Sequence, residues 1–151
     1  MAKFNFKLAP ILSIKEKIED LKKNELAKAI MALEAEKAKL AQLRQTRADC
    51  IESFRNSINT GVKPIDIRQH NIFLDRLKVL IREQKEAIVR AEAKVEEARL
   101  ALVEAMRERK SLDKLKENDY EEYLVEEKKA EQKGIDEVVS YKTAVLSKNN
   151  E

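Results

Sequence analysis

From Leu74 to Leu112 the chain repeats one spacing without interruption. Leu74, Leu77, Ile81, Gln84, Ile88, Ala91, Val95, Ala98, Leu102, Ala105, Arg109 and Leu112 follow one another in alternating steps of three and four. Only Gln84 and Arg109 in that series are polar. Such a run spans more than five heptads of a and d positions, and its 3.5-residue period predicts a left-handed coiled coil. Large side chains (Leu, Ile, Val) alternate with small ones (mostly Ala), and small residues let a second helix approach closely. A stripe this narrow is stable only when another helix covers it.

The covering helix lies upstream. Asn59-Thr60-Gly61-Val62-Lys63-Pro64-Ile65-Asp66 is the one segment that breaks the helical pattern. Gly61 suits a left-handed C-cap, and Pro64 cannot continue a helix. Asp66 is placed to cap the next helix, with Gln69 three residues later completing a capping-box-like pair. The reading is therefore helix 1 over about 11–58, a turn over 59–66 and helix 2 over about 67–145. In helix 1 the stripe is traced through Ile11, Ile14, Ile18, Leu21, Leu26, Ile30, Leu33, Leu40, Ile51, Phe54 and Ile58. The five-residue step after Leu21 resembles a stutter, and Lys37, Arg44 and Arg47 fall at seam positions. So short a connection sets the helices side by side and antiparallel. At 1.5 Å per residue they would run roughly 70 Å and roughly 115 Å. Counting outward from the turn pairs Ile58 with Ile67, Leu33 with Glu92 and Ile11 with Lys114. The fold class is all-α: one coiled-coil domain of two long antiparallel helices, the second longer and overhanging.

Composition agrees and narrows the function. Charged residues make up 39% of the 151, with two Gly, two Pro and no Trp, whereas 43% is apolar. That combination marks long helices, not a many-element globule or a disordered chain. The net charge of +3 comes from 31 basic and 28 acidic side chains, well mixed, which argues against a nucleic-acid binder. A single cysteine, Cys50, gives no disulfide framework and points to a reducing, intracellular compartment. There it is expected to be a small apolar residue beside the seam. No apolar run is long enough to cross a bilayer, and residues 1–14 lack the continuous apolar core of a secretory signal.

Nothing in the sequence spells catalysis. There is no Gly-rich phosphate loop, nucleophile elbow or zinc spacing. The single histidine, His70, stands near the start of helix 2 with no ligand-like partner in sequence. Acids are plentiful, but a perturbed acid–base pair needs a pocket, and two helices enclose none. The expectation is a protein that is no enzyme, carries no cofactor or metal and works by binding other proteins.

Three features bear on binding. Residues 1–28 hold seven lysines against four acids, and helix 2 brings Arg107, Arg109, Lys110, Lys114 and Lys116 alongside. Phe4, Phe6 and Leu8 precede Pro10 and either cap the coil or insert into a partner. Near the turn, Ile72, Phe73 and Leu80 exceed what one seam requires, with Leu77 and Gln84 on a neighbouring line, so a helix-docking surface is possible there as well as a widened core. The overhang changes character: eleven of the nineteen residues 116–134 are charged. The apolar stripe resumes only at Ile135, Val138, Tyr141 and Val145, after Gly134. This stretch is open to two readings, a solvated helix or one awaiting an external surface.

Phe4-x-Phe6-x-Leu8-x-x-Ile11-Leu12, then Arg109-Lys110-x-Leu112-x-Lys114-Leu115, Tyr120 and Glu131-Gln132-Lys133-x-x-Asp136-Glu137, resemble the corresponding parts of the bacterial flagellar FliJ proteins. The resemblance covers nearly the whole chain. It implies a non-enzymatic, stalk-like coiled coil of the flagellar type III protein export apparatus, similar in fold to the central stalk of rotary ATPases and concerned with motility. It further implies partners: the hexameric flagellar export ATPase, the cytoplasmic domain of the export gate membrane protein, and export chaperones, with neither nucleic acid nor membrane insertion. The location implied is cytoplasmic, peripheral at the membrane face of the flagellar base. Residues matching the gate contact are Phe73, Leu77, Leu80 and Gln84. Candidates for the ATPase ring are Arg107, Arg109, Lys110, Lys114, Gln132 and Lys133. The alternative is a structural adaptor or rotary-ATPase stalk subunit unrelated to flagella.

Overall fold

The computed structural model describes residues 3–150. They form two helices, α1 (Ala9–Ile58) and α2 (Pro64–Asn149), of 50 and 86 residues. Together they make an antiparallel hairpin, and among the described residues there is no strand. Contacts group the chain into two compact units. Unit 1 comprises residues 1–18 and 105–151, and unit 2 comprises residues 19–104.

Both helices start earlier than their prolines suggest. Pro10 and Pro64 each sit in a first helical turn, where the missing N–H has no intrahelical partner to lose and the fixed φ already suits the helix. The turn therefore closes within residues 59–63. Gly61 has φ of 93°, the left-handed conformation that glycine adopts without steric cost. Its N–H and that of Thr60 return to the Ile58 and Ser57 carbonyls. Asp66 is not the N-cap. It lies at the third helical position, where its Oδ2 accepts the Lys63 backbone N–H at 3.2 Å, the reverse arm of a capping box. Its charge also lies at the positive end of the helix dipole.

On α2 all twelve positions from Leu74 to Leu112 are buried or half-buried, as the periodicity requires. On α1 the seam differs from the expected line. Ile11, Ile14, Leu21, Ile30 and Ile58 are 44–56% exposed. The inward line runs instead through Leu12, Lys15, Glu19, Lys22, Leu26, Ala29, Leu33, Glu36, Leu40, Leu43, Cys50 and Phe54. These keep strict three- and four-residue steps, with Arg47 in phase but exposed, so there is no stutter. Lys37 and Arg44 lie off the seam. The phase of a long coil is set by its continuity along the whole helix, and polar members fit where stems pack and heads reach solvent or a partner.

In unit 2, Glu36 faces Gln84 and Cys50 faces His70. Leu33 thus lies nearer the turn along α2 than the expected partner Glu92, because the turn is shorter. In unit 1, Lys15 Nζ pairs with Glu108 at 2.7 Å. Beyond the start of α1, Phe4 packs on Tyr120 and Tyr123 with ring centroids 5.1 and 5.5 Å away. Phe6 is only 5% exposed. The segment before α1 therefore continues along α2 and covers the first part of its overhang. From Lys128 to Asn150 every residue is exposed.

Candidate functional site

Unit 2 carries the apolar surface expected near the turn. Leu77 is 3% exposed and belongs to the seam, whereas Phe73 and Leu80 on its flank are 42% and 37% exposed. Both are spaced one heptad apart on α2, and Ile72 is further out at 60%. Gln84 also faces inward: its Nε2 donates to the Glu36 carbonyl at 2.9 Å and to the Glu36 carboxylate. That amide donor, reinforced by the nearby Lys39 charge, holds the Glu36 carboxyl below the ordinary carboxylate range despite some desolvation. Of the four expected gate-contact residues, two are outward and two stabilise the hairpin beneath them.

The same unit brings together residues that no spacing in the sequence would pair. Cys50 Sγ lies 3.5 Å from His70 Nδ1, and the His70 ring stacks on Phe54 at 3.9 Å with an 8° interplanar angle. His70 is in the second turn of α2. The contact runs across the hairpin, so only the pairing register, not local spacing, could have revealed it. Among the described residues no group of three or more His, Cys, Asp or Glu could hold a metal ion.

Unit 1 carries the basic candidates, partly neutralised. Arg109 is a seam residue with a side chain 24% exposed, paired with Asp113 one turn on. Lys114 lies 3.6 Å from Glu117, and Lys15 pairs with Glu108. Arg107 and Lys110 are exposed. Gln132 donates to Asp136 at 3.0 Å along the exposed helix, and Lys133 is exposed beside it. In the aromatic cluster, desolvation, then the neighbouring Glu127 charge, pushes the Tyr123 phenol above its ordinary value.

The family model of the flagellar FliJ protein matches residues 4–145. The chain belongs to the FliJ family. That match takes in the Phe4–Phe6 segment, all of α1, and α2 through most of the exposed tail. Membership assigns this FliJ-family chain to the type III export apparatus of the flagellum, and so to protein transport. Comparison with curated protein sequences finds no match. Among solved structures, a Chlamydia trachomatis protein, CT670, described as a YscO homolog, is similar over 97% of this chain and 99% of its own. Its TM-score is 0.66 and its identity 22%; at that identity the likeness concerns the fold. Among the described residues no helix is long and apolar enough to cross a membrane.

Proposed function

We propose that this FliJ-family protein is a non-enzymatic, stalk-like link in the export apparatus, located in the cytoplasm at the flagellar base. In this reading unit 1 binds the hexameric export ATPase ring through Arg107, Lys110 and Lys114, supported by Arg109 and by Gln132 and Lys133 on the tail. Unit 2 contacts the cytoplasmic domain of the export gate through Phe73 and Leu80. Leu77 and Gln84 hold that face in shape from within the seam. Export chaperones are the third class of partner.

One observation carries the reading best. Phe73 and Leu80 stay exposed beside a seam that Leu77 already closes, so the hairpin itself does not need them as core. Interface energy concentrates in a few such aromatic and aliphatic anchors. On unit 1, charge complementarity would govern the encounter and weaken with salt.

The test is a pull-down with the purified ATPase and, separately, with the soluble domain of the gate. Reversing Arg107, Lys110 and Lys114 to Glu should abolish ATPase capture and leave helicity and gate capture intact. ATPase capture that survives the triple reversal in a folded protein would reject the ring assignment.

A further inference from the structure

The last part of α2 carries a second stripe that the hairpin cannot use. Glu131, Ile135, Val138 and Lys142 follow at steps of four, three and four, so they lie along one line of the helix. Ile135 and Val138 are 51% and 54% exposed. The line is out of phase with the hairpin seam. Continued at its own spacing, the Ala105, Arg109, Leu112 seam would reach Lys133, Glu137 and Ser140, on another face. A longer α1 would therefore not cover Ile135 and Val138. Among the described residues, neither Glu131 nor Lys142 has an ion-pair partner within the chain.

We infer that two copies of this chain pair antiparallel through this stripe. The spacing is symmetric about the midpoint between Ile135 and Val138, and the charges at its two ends are opposite. An antiparallel alignment sets Ile135 of each copy against Val138 of the other and Glu131 of each against Lys142 of the other. Two apolar layers are then bracketed by two ion-pair layers, each contact occurring twice by the two-fold axis. A parallel, in-register alignment would face Glu131 with Glu131 and Lys142 with Lys142, and like charges at seam positions set orientation by repulsion. This chain already sets an ion pair between its own two helices, Lys15 with Glu108. Pairing also gives cover to a helix that would be marginal alone. The paired tail is the segment that bears Gln132 and Lys133, so self-pairing and ring docking compete for it, and the dimer is the resting form away from the ATPase. The pairing itself does not rest on the ring assignment, because it is a property of the isolated chain.

Sedimentation equilibrium of the full chain, with circular dichroism as the fold control, tests it. The wild type should rise toward twice the monomer mass with concentration. Glu131→Lys and Lys142→Glu, each alone, should weaken association by about tenfold or more, since every reversal makes two like-charge layers. An equimolar mixture of the two variants, and the double swap E131K/K142E, should both restore it. All four residues are exposed and lie outside the hairpin, so the helical signal and melt of the hairpin should not change, and any helicity lost with dissociation should be confined to the tail. A wild type that stays monomeric up to about 1 mM, where even millimolar self-affinity would show, overturns the inference. So do single reversals that associate like wild type, or a double swap that fails to restore. ATPase capture by the monomeric variants is scored separately, which keeps this inference and the ring reading distinguishable.

Discussion

Leu77 and Val138 belong to the same helix, and each sits in a line of residues at three- and four-residue spacing. Leu77 is 3% exposed and Val138 is 54% exposed. The difference lies in what is available to cover each line. Around Leu77 the chain returns through a five-residue turn and lays α1 along the stripe. Before Val138, among the described residues, the segment that continues beyond α1, residues 3–8, reaches Tyr120 and Tyr123. A heptad line therefore defines a capacity for burial, and the connection between helices decides whether the chain satisfies it. An uncovered line of this kind is a surface on which a second helix could draw its energy.

The sharpest way to break this comparison is to delete both side chains. Leu77→Ala removes a buried isobutyl group and should cost about 2–4 kcal/mol. For a chain of this size that lowers Tm by roughly 5–12 °C. Val138→Ala in dilute protein should change stability by less than about 0.5 kcal/mol, as exposed positions do. Thermal melts of the two variants decide it. Equal losses would mean that the tail is packed in the isolated chain and that the contrast is false.

A second pair of variants sharpens the contrast within α1. Leu12 is 5% exposed and Ile14, two residues on, is 54% exposed. Leu12→Ala should cost about 2–3 kcal/mol, and Ile14→Ala less than about 0.5 kcal/mol. Urea unfolding measures both. The reverse order would restore the line through Ile11, Ile14 and Leu21 that the sequence first suggests.

That reversal of expectation shows what was legible. The α2 seam could be traced because its members are mostly apolar, so hydrophobicity and phase point to one line. On α1 they disagree. The branched aliphatics Ile11, Ile14, Leu21 and Ile30 form an attractive line, but the phase that continues down the whole helix runs through Lys15, Glu19, Lys22 and Glu36. Glu19 is 5% exposed, with Lys23 Nζ at 3.4 Å, and Glu36 is held by Gln84. No local rule marks Glu36 as inward, because the amide that satisfies it, Gln84, is on the other helix. Pro64 misled for a related reason: Pro reads as a stop, and only the structure shows that it occupies the first turn of α2 instead. Phe73 and Leu80 were visible in the sequence as surplus apolar residues. The Cys50–His70–Phe54 contact was not, because it depends on register across the hairpin.

A third prediction concerns those surplus residues and separates folding from function. Phe73→Ala with Leu80→Ala should leave most of the helicity and lower Tm by only a few degrees, because both side chains are already partly in solvent. Swimming in soft agar should fall sharply, and capture of the export-gate domain should be lost while ATPase capture remains. A melt as damaged as that of Leu77→Ala would show that the pair is core. Normal motility with a normal melt would show that this face contacts nothing that matters.

The smallest expected effect lies at the polar layer, and it carries a sign. In the folded chain the Gln84 amide, with help from Lys39 and Arg90, holds the Glu36 carboxyl below its ordinary value. A carboxylate whose folded pKa is depressed contributes stability that is present above its unfolded pKa. That share disappears as pH falls through the lowered folded value. Glu36→Gln keeps an amide that can hydrogen-bond to Gln84 but has no charge to lose. The wild type should therefore be the more stable of the two near neutrality, and the gap should close on acidification through and below the ordinary carboxylate range. Urea unfolding of both proteins at a series of pH values measures the gap directly. A gap that stays constant into the acid range would mean that the layer works by shape alone, and that the ionised carboxylate adds nothing to the Glu36–Gln84 pair one heptad from Leu77.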